Sequence, residues 1–229
     1  NKIWSKCYEG PFSASANYLE GIYKLTELSG NNGVIFGGFG TPDFNDFNAD
    51  DITYGKIDLN GNLSWFKSIG SSTGGDYTAA ILDAGNGEFN IVGRLQGTGT
   101  EVTNYYGGGG DFWLIKFDSS GTNLWDKNYG GTDWEFPFDA VQDEYGNIFM
   151  GGFTRSNNND ANFNQQGFMD YWLVAVYPYG DTIWTQRYGG TSNEAITGLA
   201  LLGNSTIFSA GRCESDNGYV HDHIGGRDI

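Results

Sequence analysis

A tryptophan recurs along this chain at a nearly fixed interval. Trp4, Trp65, Trp125 and Trp184 are separated by 61, 60 and 59 residues. Their surroundings agree: Trp4-Ser-Lys-Cys-Tyr8, Trp65-Phe-Lys-Ser-Ile69, Trp125-Asp-Lys-Asn-Tyr129 and Trp184-Thr-Gln-Arg-Tyr188. Two further markers keep the same phase. One is a short apolar run closing on Gly38, Gly93, Gly152 or Gly211. The other is an Asp that opens a second apolar run: Asp51, Asp111, Asp170 and Asp228. Three markers in one phase define a repeat of about sixty residues, and a repeat of that period restricts the fold to an array of similar units.

Each unit reads as four short strands. In the second copy they are expected at 76–83, 88–94, 111–117 and 124–129, runs rich in β-branched and aromatic residues and bounded by turn residues. Asn60-Gly61, Ser120-Gly121 and Tyr179-Gly180 fall between the third and fourth strands, and Asn86-Gly87 and Tyr145-Gly146 between the first and second, where glycine supplies the positive φ of a tight turn. No segment carries a helical period with caps, so almost no helix is expected. A four-stranded antiparallel unit of this size cannot cover both its faces alone. Radial stacking covers them, and the expected fold class is an all-β propeller of four-stranded antiparallel blades. The repeat tryptophans are then packing residues between blades, each worth at most ~4–6 kcal/mol of burial.

The expected division is the end of a preceding blade and a linker at 1–17, blades at 18–69, 70–129 and 130–188, and a partial blade at 189–229. The chain starts in the phase of a fourth strand and stops as a third begins. The expectation is therefore an incomplete ring, with the natural protein continuing by at least two more blades.

These residues resemble a known family. The pattern Trp-x-Lys-x-[Tyr/Ile]-Gly, followed by Asp-[Phe/Tyr]-Trp-Leu-x-Lys-x-Asp-x-x-Gly-x-x-x-Trp, is similar to the tandem β-propeller repeats of secreted and surface proteins of Bacteroidetes. Asp111-Phe112-Trp113-Leu114-Ile115-Lys116-Phe117-Asp118, Gly121 and Trp125 carry it best; the third copy has Ala175 and Tyr177 in place of the Lys and Asp, and the first has Thr53 and Tyr54 in place of Trp and Leu. The resemblance implies export by type IX secretion, a place outside a Gram-negative cell or on its surface, and a scaffolding or adhesive role. Asp118-x-x-Gly121-x-x-x-Trp125 also resembles the tryptophan-docking repeat of quinoprotein propellers and the Asp-box turns of sialidases. The adjacent-cysteine pair of many quinoprotein dehydrogenases has no counterpart, since Cys7 and Cys213 lie far apart and are expected to be unpaired.

Charge narrows the partners. Twelve Lys and Arg against twenty-eight Asp and Glu give a net charge of −16, which repels phosphate backbones and anionic lipid, so nucleic acid is excluded. No run approaches the ~20 apolar residues of a membrane-spanning helix, and no signal-peptide pattern opens the sequence.

The segments joining second to third strands are long and rich in Asn, Asp and Gly, with aromatic residues interspersed. Long loops on a rigid scaffold commonly carry binding. Phe44, Asp46, Phe47, Tyr105, Tyr106, Asp160, Phe163, Tyr219 and His221 are the candidate ligand-binding residues, for a protein or glycan on that loop face. Ordinary turn chemistry accounts for the same composition. Asp43, Asp46, Asp50 and Asp51 form an oxygen-rich run of the kind Ca²⁺ takes, without EF-hand spacing; no other metal or cofactor is expected. His221-Asp222-His223 lacks the third ligand of a catalytic zinc site, and no nucleophile motif is present. The expected role is therefore a non-catalytic scaffold or recognition module. The alternatives are a propeller enzyme (glycoside hydrolase or quinone-dependent dehydrogenase) and a component or passenger of a secretion or gliding apparatus.

Overall fold

The structure is a computed structural model. It describes residues 21–30, 32–40, 51–99, 102, 104–162, 167–203 and 206–218. Trp4, Cys7 and Asp228 lie outside them.

The described chain is all-β. Strands β1 (Gly21–Glu27), β2 (Val34–Gly40), β3 (Asp51–Ile57) and β4 (Leu63–Ile69) form the first sheet; β5 (Tyr77–Gly85), β6 (Glu88–Leu95), β7 (Asp111–Phe117) and β8 (Asn123–Tyr129) the second; β9 (Glu135–Gln142), β10 (Ile148–Thr154), β11 (Asp170–Val176) and β12 (Thr182–Tyr188) the third. A two-stranded sheet of β13 (Glu194–Leu202) and β14 (Thr206–Cys213) follows. All are open antiparallel meanders, and a single 3₁₀ turn, Asn159–Ala161, is the only helical element among the described residues. The second sheet's strands coincide with the expected ones to within two residues at every end. No helix of the described residues is long and apolar enough to cross a membrane.

Tight turns follow from one side chain. In Asp58-x-x-Gly61-Asn62, Asp58 Oδ1 accepts from the amides of Asn60 and Asn62 at 2.9 and 2.7 Å, while Gly61, at φ +73°, donates to the Asp58 carbonyl. Asp118 and Asp143 close their turns the same way. This is an Asx-capped turn, with Asp offering the backbone a local acceptor.

The glycine marker has a geometric cause. Each first strand carries a bulge, between Ile22/Lys24, Thr78/Ala80 and Ile196/Gly198, and at the corresponding shift opposite Gly151/Gly152. The bulged strand presses a carbonyl towards the second strand. A Cβ on Gly93 would meet the Tyr77 carbonyl oxygen at 2.6 Å, and one on Gly38, Gly152 or Gly211 would meet the equivalent oxygen more closely still. Only glycine fits there. A second irregularity, one residue before each repeat tryptophan, separates Trp65 from Leu63, Trp125 from Asn123 and Trp184 from Thr182 in the pairing with the third strand.

Successive sheets pack by one rule. β5 lies across β1, β2 and β3; β9 across β5, β6 and β7; β13 across β9, β10 and β11. The second sheet is therefore covered on both faces. Ile91, Trp113 and Ile115 enter the core shared with the first sheet, and Val92, Phe112 and Leu114 the core shared with the third. This is why its strands read as unbroken apolar runs rather than alternating ones. The fully buried indoles are Trp113 and Trp172; Trp65 and Trp125 are half-buried at the margins of the two cores.

Those margins are repeated joints. The Trp65 ring sits over Gly121 in the next sheet's turn, and Lys67 Nζ and Tyr54 Oη donate to the Gly121 carbonyl at 2.9 and 3.1 Å. One unit on, Trp125 sits over Gly180, whose carbonyl accepts from Tyr129 Oη at 2.6 Å. Trp65 and Trp125 thus each dock on the following unit's turn glycine.

Candidate functional site

A second joint, at the opposite strand ends, is built from carboxylates. An acid at the entry to the second, third and fourth units clasps two neighbours. Glu135 Oε2 accepts from the Gly131 amide at 2.7 Å; its Oε1 accepts from Thr154 Oγ1 at 2.6 Å and the Ser156 amide at 3.2 Å. Glu194 does the same with the Gly190 and Ser215 amides at 2.9 and 3.0 Å, and Asp76 with the Ser71 and Gln96 amides at 2.5 and 2.6 Å. The linker entering a unit is thereby tied to the loop leaving its second strand. The signal was present in the sequence: Gly130 and Gly189 precede their Glu by five residues, whereas Gly70 precedes Asp76 by six. The shorter acid is matched by a longer linker.

The marker aspartates meet these clasps. A Cβ on Gly130 would lie 2.4 Å from Asp111 Oδ1 and 2.9 Å from Glu135 Oε2. Gly189 stands in the same relation to Asp170 and Glu194, and Gly70 to Asp51 and Asp76. Each junction therefore gathers two carboxyl groups about a glycine. Their electrostatics differ. Arg187 Nε donates to Asp170 Oδ2 at 2.5 Å, both side chains being almost fully buried. Asn128 holds the register position of Arg187 in the second sheet, opposite Trp113 as Arg187 is opposite Trp172. Burial, with Glu135 and Asp160 nearby, pushes the Asp111 carboxyl up to about 8, against the lowering effect of the Tyr106 amide. This environment favours the neutral form of Asp111, whereas the next junction sets a guanidinium against its carboxylate.

A groove opens beside this junction. It runs along β8 between the second and third sheets, holds about 240 Å³, and is lined by Asn104, Tyr106, Lys127, Tyr129, Asp160 and Asp181. Of the sequence candidates, the structure brings together Tyr106 and Asp160 in the lining of this groove, with Asp160 Oδ2 accepting from the Gly130 amide at 3.3 Å. Burial raises the Asp160 carboxyl above its ordinary range despite this donor. Tyr106 is exposed, and its own amide donates to Asp111 Oδ2 at 2.8 Å, linking groove to junction. Tyr105 instead packs against the core of the first seam, its hydroxyl donating to the Gly108 carbonyl at 2.7 Å. Asn104, at φ +60°, lines the groove, and Asn159, at φ +50°, precedes Asp160; both hold a conformation unusual for residues with a side chain. At the first seam the corresponding groove, of about 480 Å³, runs from Lys67 and Ile69 to Gly121 and Asn123.

Phe44, Asp46, Phe47, Phe163, Tyr219 and His221 lie outside the described residues, as do Asp43 and Asp50 of the Ca²⁺ candidates. Asp51 is described and sits at the first junction. No group of three or more His, Cys, Asp or Glu side chains placed to hold a metal occurs among the described residues. Cys213 is buried, its Sγ 3.4 Å from the Ser215 carbonyl oxygen. Much of the Asn and Ser in the loops is structural: Asn158 and Thr132 exchange hydrogen bonds at 3.0 and 2.7 Å, and Asn217 and Thr191 repeat the exchange.

A scan against protein-family models finds no match. A search of the curated proteins finds none either.

Proposed function

We infer that the chain is an arc of a β-propeller and serves outside the cell as a non-catalytic recognition module for a glycan or protein. Three successive sheets related by one packing rule, with Trp65 and Trp125 each seated on the next unit's turn, support the propeller reading. The observation that carries the recognition reading is the second-seam groove. Tyr106 and Asp160, supplied by loops of different sheets, line it together, and Asn104 and Asn159, close to them in the chain, both hold positive φ. Strain kept at a polar, accessible groove is the pattern of a preformed binding surface. The junction carboxyls Asp111 and Glu135 are fully buried and hold backbone amides in place, which suits a structural role better than reaction with a substrate.

The test is a glycan array and an array of extracellular matrix proteins, probed with the labelled chain and with Tyr106→Ala. Retention by a defined ligand that the variant loses, with an unchanged melting temperature, supports the reading. Equal retention by both overturns the assignment of the groove.

A further inference from the structure

The seams between sheets are made to one pattern, and two faces of the molecule carry its unused halves. In each first strand one residue pairs with the repeat glycine and another lies three positions on: Thr78 and Ile81 in β5, Pro137 and Ala140 in β9, Ile196 and Leu199 in β13. These residues face the preceding sheet. A Cβ on Gly37 of the first sheet would meet Thr78 and Ile81, and one on Gly151 of the third would meet Ile196 and Leu199. Thr78, Ile81, Ala140 and Ile196 are accordingly buried. In β1 the pair is Ile22, opposite Gly38, and Leu25. Both are aliphatic, and they are 55% and 66% exposed.

The receiving side shows the same contrast at the other end of the array. Gly37, Val92 and Gly151, each just before the repeat glycine, are buried. Their counterpart Ala210 is exposed. Two positions earlier, and so on the same face of the strand, stand Ile35, Asn90 and Phe149; the first two are buried and the third is half-buried. Their counterpart Phe208 is 56% exposed. Ala200, opposite Phe208 in register, and Leu202 share its face and are exposed too. Ile196 and Leu199 point the other way, onto the third sheet. The fourth sheet thus turns an apolar patch, two strands wide, away from the third.

Ile22 and Leu25 are therefore a plug without a socket among the described residues, and the Phe208 patch is a socket without a plug. Exposed apolar patches of this kind mark contact surfaces. The internal seams show that this residue pair and this face are made to meet, so the occupant that satisfies both at once carries the same two surfaces.

We propose that a second copy of this chain docks head to tail, its β1 lying across β13 and β14 as β5 lies across β1 and β2, with Ile22 and Leu25 seated against Ala210 and Phe208. The contact is heterologous: the two surfaces differ, every copy offers both, and copies add in one direction. It needs only the seam geometry and stands whether or not the Tyr106 groove binds a ligand.

The experiment is sedimentation velocity on the full chain over a range of concentrations. The net charge of −16 opposes association at low ionic strength, so the buffer holds about 0.3 M salt to screen it. A weight-average mass that rises with concentration to at least twice that of one chain is expected. Leu25→Asp and Phe208→Asp, both surface changes, each abolish the rise while leaving thermal melting unchanged. An equimolar mixture of the two variants recovers one joint, because the first keeps the patch and the second keeps β1, and gives a one-to-one dimer that grows no further. That dimer also shows that both variants are folded. A parent chain that stays monomeric at every concentration leaves the faces to a different partner and overturns the proposal. So does a single variant that associates like the parent, or a mixture that stays monomeric, as a contact between two identical faces would.

Discussion

Trp65 lies so close over Gly121 that a Cβ there would come within 2.7 Å of the indole Cη2. Gly121 also holds φ +72°. Gly121→Ala therefore meets two penalties, steric and conformational, and should lower stability by about 1–3 kcal/mol. Gly85→Ala separates them: φ there is +80°, with nothing within 4 Å of the added carbon. Urea unfolding of both variants, followed by tryptophan fluorescence, should show the larger loss at Gly121. Equal losses would mean that the indole contact adds nothing to the backbone strain.

The second junction should make the protein less stable as pH rises. Burial raises Asp111 from an ordinary carboxyl value near 3.8 to about 8 in the folded state, so the folded chain holds a proton the unfolded chain has lost. Stability is then highest below the unfolded value, falls from about pH 4 to about pH 8, and is level beyond. Asp111→Asn removes that slope. Thermal unfolding across the range should show the variant gaining on the parent as pH rises; parallel profiles would contradict the assignment.

The third junction should respond differently. Arg187→Met removes the buried cation paired with the Asp170 carboxylate and should cost about 3–5 kcal/mol. Asp170→Asn in the same chain should recover a large part of it, because no buried charge is then left unpaired. Denaturant midpoints of the single and double variants form the test.

Glu135→Ala deprives the Gly131 amide, the Ser156 amide and the Thr154 hydroxyl of an acceptor. The expected cost is on the order of 1–3 kcal/mol for each buried group left unpaired. Hydrogen exchange should accelerate at Gly131 and Ser156 before the turn amides of Asn60 or Ser120 are affected.

The strand pattern was legible because β-branched runs and Asx-capped turns are local devices. The glycine and tryptophan markers announced a repeat, but their causes were not local. Gly93 is required by a carbonyl on Tyr77, and Trp65 by a turn in the next sheet, and neither follows from neighbours in sequence. Tyr106 and Asp160 were both singled out as loop residues, yet nothing in their spacing said that they would meet each other. The clasp acids Asp76, Glu135 and Glu194 carry no local signal beyond a distance of five or six residues from a preceding glycine.

The indole-on-glycine joint also gives the array a direction. The first and second units finish their packing only when the turn of the next has formed, so a chain made from its amino end leaves Trp65, and then Trp125, unseated at the growing front. Synthesis and packing would then run as a relay, and a halt after β4 or β8 would leave an adhesive edge until the following hairpin arrived.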